Sequence, residues 1–196
     1  MRIFGDLNSG NCLKVKWTAE YLGLPFTWQP VDMMAGETRE TGFLERFPFG
    51  QIPAIAFDDG RTLAQSNAII RYLAHGSRLL PDDTFAQAKV DEWLFWEQYS
   101  HEPYIAVCRF HMVYKEQSKE TREAWRVERG EAALDLMERH LTGRDWFAGP
   151  DMTIADISLL AYTRVAHEGG FDLSARQQLR SWIGRAETEL SLAAAA

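Results

Sequence analysis

Arg2-Ile3-Phe4-Gly5-Asp6-Leu7-Asn8-Ser9-Gly10-Asn11-Cys12 is the stretch on which the fold turns. Its first four residues read as a short β-strand. From Leu13 the apolar residues fall at helical spacing as far as Leu22: Leu13 with Trp17, and Val15 with Ala19 and Leu22. A hydroxyl, an amide and a thiol, from Ser9, Asn11 and Cys12, therefore stand together where a helix begins. A helix N-terminus carries unpaired backbone N–H groups and the positive end of the helix dipole, and both favour a bound anion. A thiolate is such an anion. Taken alone, the stretch reads more readily as an ordinary cap, because Ser and Asn are common capping residues.

Outward from that corner the chain alternates strands and helices. Gly23 and Pro25 end the first helix, and residues 26–32 read as a strand in which Pro30 marks an edge or an end. Residues 34–45 are polar and predict only a short, weakly fixed helix. Gly50-Gln51-Ile52-Pro53 then leads into a strand, Ala54-Ile55-Ala56-Phe57; Asp58-Asp59-Gly60 is a hairpin turn, and Arg61-Thr62-Leu63-Ala64 is the returning strand. Residues 66–75 predict a helix with Ile69, Ile70 and Leu73 inward. The order is β-α-β-α-β-β-α. A crossover helix between the first two strands implies that they pair in parallel, while the last two form a hairpin.

The character changes at Gly76, where Gly, Ser, Pro and Asp cluster into a linker over residues 76–84. Beyond it no strand pattern stands out. Thr84 is a candidate cap for a long helix through Ser100, with Val90, Trp93, Leu94 and Trp96 on or near its buried face. Pro103 predicts a break or kink, and a second helix follows over residues 105–114. Ser118 is read as the start of another, in which Leu134, Met137 and Leu141 are in step. Thr153-Ile154-Ala155-Asp156 has the spacing of a capping box, with Asp in the place of Glu, ahead of an apolar run that predicts a buried helix. Leu179, Trp182, Ile183 and Ala186 make a last amphipathic helix. The Ala193 to Ala196 run reads as an added or frayed end.

Composition narrows the function classes. The 196 residues are 46% hydrophobic, enough for one or two domains with a sizeable core. A net charge of −7 argues against a nucleic-acid backbone as partner. No basic run suggests a membrane patch, no apolar stretch is long enough to span a bilayer, and no signal peptide is visible. Cys12 and Cys108 make no disulfide framework, so a reducing, cytoplasmic setting is expected. The five His and two Cys form no metal-binding cluster, so no metal is expected.

This ordered set of features resembles the cytosolic glutathione transferases, and most closely their theta-like, nu-like and beta-like bacterial classes. The resemblance is carried by the Ser9-Gly10-Asn11-Cys12 helix start, Gly50-Gln51-Ile52-Pro53-Ala54, Leu63-Ala64-Gln65-Ser66-Asn67-Ala68-Ile69, and Thr153-Ile154-Ala155-Asp156-Ile157. It covers nearly the whole chain. The fold it implies is an α/β thioredoxin-like, glutathione-binding domain over residues 1–75 and an all-α domain over residues 85–196.

The resemblance also implies a site. Pro53 is cis in the family, and the residue before it, here Ile52, pairs its main-chain groups with the cysteinyl part of glutathione, in the manner of strand addition. Ser66 is read as the cap of the third helix, whose exposed N–H groups suit the γ-glutamyl carboxylate. Gln65 stands where many relatives carry an acid, so one countercharge to the ligand's amine is missing and must come from elsewhere. Gln51 and Thr38 match positions that contact the glycyl carboxylate; both are neutral where some relatives have Lys or His. For Thr38, a place in a surface loop accounts for the residue as well.

A glutathione thiol has a pKa of about 8.5, like a free Cys, and lowering it by ~2 units takes ~2.7 kcal/mol of preferential thiolate stabilisation. A hydroxyl, an amide donor and a helix terminus together reach that magnitude. Ser9 is the first candidate for the thiolate stabiliser and Asn11 the second. Cys12 reads either as a thiol able to form a mixed disulfide, as in beta-like members, or as a small core residue. In the helical half, Trp93, Phe95, Trp96, Tyr99, Tyr104 and Phe110 are candidates for an apolar electrophile pocket or for core, and Glu97 and His101, a helical turn apart, read either as solvated neighbours or as groups reaching the active cleft. The expected activity is conjugation of glutathione to a small hydrophobic electrophile. Alternatives are a glutathione-dependent disulfide reductase working through Cys12 and a non-catalytic binding module. A homodimer is implied by the resemblance, with Phe47 and Phe49 the only local hint of its contact patch.

Overall fold

The computed structural model describes residues 1–194; Ala195 and Ala196, the last of the alanine run, lie outside the described residues. The chain divides into two compact units, one covering Met1–Leu80 and the other running from Pro81 onward.

In the first unit the elements are β1 (Arg2–Gly5), α1 (Gly10–Tyr21), β2 (Thr27–Pro30), a 3-10 turn at Glu37–Arg39, α2 (Thr41–Arg46), β3 (Ala54–Ala56), β4 (Thr62–Ala64) and α3 (Ser66–Leu73). The strands form one sheet in the order β2-β1-β3-β4. β1 is parallel to β2 and antiparallel to β3, and β3 and β4 form the hairpin. Side chains alternate across the sheet. On one face Phe4, Ala54 and Ala56 join Val31 and Phe47 in a core that Phe43 and Ile52 complete. Ile3, paired with Ile55, turns to the other face, where α1 and α3 lie against the strands and against each other.

Gly5 fixes how closely α1 can approach. A Cβ at that position would come within 2.8 Å of the Trp28 ring and 3.0 Å of Cys12 Sγ. Only a residue without a side chain lets Trp28 and the first turn of α1 close over the end of β1.

The second unit contains α4 (Thr84–Trp96), a π-helical segment (Glu97–His101), α5 (Glu102–Val113), a 3-10 turn (Lys119–Thr121), α6 (Ala124–His140), α7 (Ile154–Thr163), a 3-10 turn (Ala166–Gly169) and α8 (Gln177–Glu189). Among the described residues it contains no strand. Every residue of α7 is buried. The capping box at its start is formed: Asp156 accepts from Thr153 N at 2.9 Å, and Thr153 Oγ1 accepts from Ala155 N at 3.2 Å. Asp156 also accepts from Phe147 N at 3.1 Å and from Trp182 Nε1 at 3.0 Å, so one carboxylate ties α7 to α8 and to the segment before it.

Several expectations are corrected here. Asp83 rather than Thr84 caps α4, accepting from Ala86 N at 2.8 Å. Pro103 does not break the path, because it sits in the first turn of α5, where a missing N–H is tolerated and the π-helical segment has already carried the chain on from α4. Ser118 precedes only a 3-10 turn, and α6 opens six residues later, at Ala124. Glu97 and His101 are fully buried, not solvated. Glu97 accepts from Ser158 Oγ at 3.2 Å, and His101 Nε2 lies 2.9 Å from Thr163 Oγ1, both partners belonging to α7.

Candidate functional site

The turn from β1 into α1 builds the first corner of the site. Ser9 N donates to Asp6 O at 3.1 Å, which holds the turn, and Ser9 is the N-cap of α1, its Oγ accepting from Cys12 N at 3.4 Å. A hydroxyl oxygen that accepts still carries its own hydrogen as a donor. Asn11, in the first turn of α1, accepts from Ser66 Oγ at 3.1 Å through its Oδ1, so it faces α3.

Cys12 points the other way. It is fully buried, with Sγ seated beside Gly5. Burial pushes its thiol up to about 11, against smaller downward pulls from the Ser9 hydroxyl and the Asp6 backbone. Burial and the raised pKa both favour the neutral thiol over the thiolate that disulfide exchange needs. Its placement matches the core alternative rather than the thiol-exchange one.

The second corner lies where β3 begins and where β4 passes into α3. The Ile52–Pro53 bond is cis. Ile52 is half-buried and Pro53 buried, immediately before β3. Gln65 takes φ 71 and ψ 113 and gives α3 no side-chain cap. Its exposed amide instead donates from Nε2 to Gln51 Oε1 at 3.0 Å. Ser66, 5% exposed, is the first residue of α3 and not its cap as expected; Gln65 holds the cap position. The first N–H groups of that helix have no partner within it, which suits a carboxylate. Thr38 is 3% exposed, so the surface-loop alternative fails; it sits in the 3-10 turn with its carbonyl oxygen beside Gly50. The structure thus brings Ser9, Asn11, Cys12 and Ser66 to one place, Gln51 and Gln65 to another, and Thr38 next to Gly50.

In the second unit the aromatic candidates separate. Trp93 is core, packed on Trp96, His140 and Phe147 at ring distances of 5.2, 4.6 and 4.8 Å. Phe95 and Tyr99 are 76% and 81% exposed. Tyr104 meets Trp125 edge-on and accepts from Arg129, while Phe110 stacks on Tyr114. Of the two loop phenylalanines, Phe47 is buried in the core of the first unit and Phe49 is exposed.

Two features went unread in the sequence. Lys14 is fully buried on α1, where a lone lysine carries no local sign of burial. The Asn11–Ser66 bond joins residues far apart in sequence and is visible only once α1 and α3 pack. Among the described residues no group of three or more His, Cys, Asp or Glu is placed to hold a metal ion, and no helix is long and apolar enough to cross a membrane.

A thioredoxin-like unit with a cis-proline ahead of its hairpin, followed by an all-helical unit, defines a two-domain class of protein. Residues 8–75 match the model of the glutathione S-transferase N-terminal domain, and residues 101–190 match that of the C-terminal domain. The chain is 30% identical to glutathione S-transferase 3 of Zea mays over 93% of its own length and 86% of that protein's. A crystal structure of a glutathione S-transferase from Pseudomonas fluorescens is similar at 45% identity with a TM-score of 0.92, covering 95% of this chain and 94% of that one. Another, from Xanthobacter autotrophicus, is similar at 41% identity with a TM-score of 0.91, covering 100% and 95%. The chain belongs to the glutathione S-transferase family, and it is an enzyme of that class.

Proposed function

We propose that this enzyme conjugates glutathione to a small hydrophobic electrophile, as a cytoplasmic homodimer, with Ser9 as the group that stabilises the thiolate. The observation that carries this reading is the Ser9 hydroxyl at the N-cap of α1, its oxygen fixed by Cys12 N–H at the mouth of the helix. In this scheme Ile52 pairs with the cysteinyl backbone, with Pro53 behind it. The α3 N-terminus at Ser66, with Gln65, takes the γ-glutamyl carboxylate. Gln51 and the Thr38 turn border the glycyl end. The thiol proton passes to solvent, the sulfur forms a bond to the electrophilic atom, and the leaving group departs with its electron pair. The enzyme's part is to lower the thiol pKa and to hold the two reactants together.

The burial of Cys12 weighs against the disulfide-reductase alternative, because the thiolate is the attacking species and a buried thiol is seldom ionised. Retention on immobilised glutathione and conjugation of chlorodinitrobenzene test the proposal. No binding at millimolar glutathione rejects it. Within it, Ser9→Ala is expected to raise the apparent pKa of the bound thiol by about one to two units, the worth of one hydrogen bond to a charged group. An unchanged pH–rate profile removes Ser9 from the mechanism.

A further inference from the structure

Asn11 is bound to α3, and that changes what it can do. Ser66 has one hydroxyl hydrogen, and it is directed to Asn11 Oδ1 at 3.1 Å. The residue before Ser66 is under backbone strain. Gln65 is not glycine, yet it holds φ 71 with ψ 113, outside the small left-handed region that side chains tolerate. Conformations of this kind are strained and persist only where the surroundings over-determine them. Two contacts flank Gln65. Its own side chain is tied to Gln51, and its successor is tied to Asn11. The Gln51 bond lies between two exposed side chains, where water competes. The Asn11–Ser66 bond lies partly buried between two packed helices.

We infer that Asn11 is a positioning residue that acts through Ser66 rather than on the glutathione sulfur. It holds the first turn of α3 in register with the first turn of α1 and so keeps the strained Gln65 presenting the α3 N–H groups to the γ-glutamyl carboxylate. The central sulfur and the γ-glutamyl end of the tripeptide are thereby served by separate residues of one helix turn, Ser9 governing the charge on the sulfur and Asn11 the grip on the γ-glutamyl end. This inference rests on the proposed glutathione site and assigns a different task to one of its residues.

The test is a double-mutant cycle of Asn11→Ala and Ser66→Ala, read by the KM for glutathione and by the ultraviolet titration of the bound thiolate. Asn11→Ala is expected to raise KM about tenfold, the effect of one lost hydrogen bond, while leaving the thiol pKa unmoved. The double variant is expected to match Ser66→Ala alone, because the two changes remove one interaction. Ser66→Thr, which keeps the donor, is expected to restore the KM. A rise in thiol pKa on Asn11→Ala, or additive effects on KM, overturns the inference and returns Asn11 to the sulfur. Thermal unfolding of each variant separates loss of grip from loss of fold, and a variant set that binds normally but is merely less stable also overturns it. Failure of the unsubstituted protein to bind glutathione is a distinct result, which overturns the proposed function itself.

Discussion

Ser9 and Cys12 share one turn of helix and meet opposite surroundings. Ser9 stays half-exposed at the cap; Cys12 is buried beside Gly5 with its thiol pushed up to about 11. At pH 7 that leaves about one thiolate in ten thousand. Cys108 is 2% exposed, and burial raises its pKa as well. Iodoacetamide is therefore expected to leave both thiols unmodified in the folded enzyme and to label both in denaturant, as read by mass spectrometry. Labelling of Cys12 under native conditions would show that its thiol reaches solvent. Capping by Ser9 was legible in the sequence because a cap is a local bond between residues three apart. The orientation of Cys12 was not, because it depends on how closely α1 packs against Gly5 at the end of β1.

Among the elements, α7 carries the clearest energetic consequence. Asp156 accepts four hydrogen bonds in full burial, from Thr153 N, Thr153 Oγ1, Phe147 N and Trp182 Nε1. Asp156→Asn puts an N–H against these donors and is expected to cost about 2 kcal/mol at neutral pH, the penalty of a buried mismatch. Burial also raises the Asp156 carboxyl to about 6. Since the folded value lies above the unfolded one, the stability due to this group is fully present below about pH 4 and is lost as pH rises through about 6. The deficit of Asp156→Asn should accordingly shrink as pH rises across that window. Urea midpoints of the two proteins at the ends of the window check both sign and size, and a deficit that widens with pH contradicts the assignment. The capping box was readable from Thr153 and Asp156 because its spacing is local. Phe147 and Trp182 were not readable as partners, since they reach the carboxylate by packing. The same distinction explains the errors at Ser118 and at Glu97 with His101. A plausible cap does not fix where a helix propagates, and burial by α7 is a tertiary fact.

For the whole molecule, the order of elements implied a small mixed sheet flanked by helices, because a parallel pair joined by a helix and followed by a hairpin admits few topologies, and the family resemblance supplied the fold class. Self-association is the part of the proposal that local pattern reads least well. Phe47 and Phe49 looked alike in the sequence, yet Phe47 is spent on the core beside Phe4, while Phe49 stands 59% exposed. In a symmetric dimer one exposed aromatic counts twice, once in each copy. Phe49→Ser is expected to weaken the dimer by at least about 2 kcal/mol, roughly thirtyfold in Kd, as truncated aromatic anchors do. Sedimentation at falling concentration reads this directly, and an unshifted dissociation curve clears Phe49 of any part in the contact.

Gly5 has a practical corollary for anyone retuning this enzyme. Because a side chain at position 5 would run into the Trp28 indole and the Cys12 thiol, a saturation library there should return glycine alone among folded clones. Reshaping the turn between β1 and α1 has to begin by trimming Trp28 or Cys12, and only afterwards can the strand end accept a side chain.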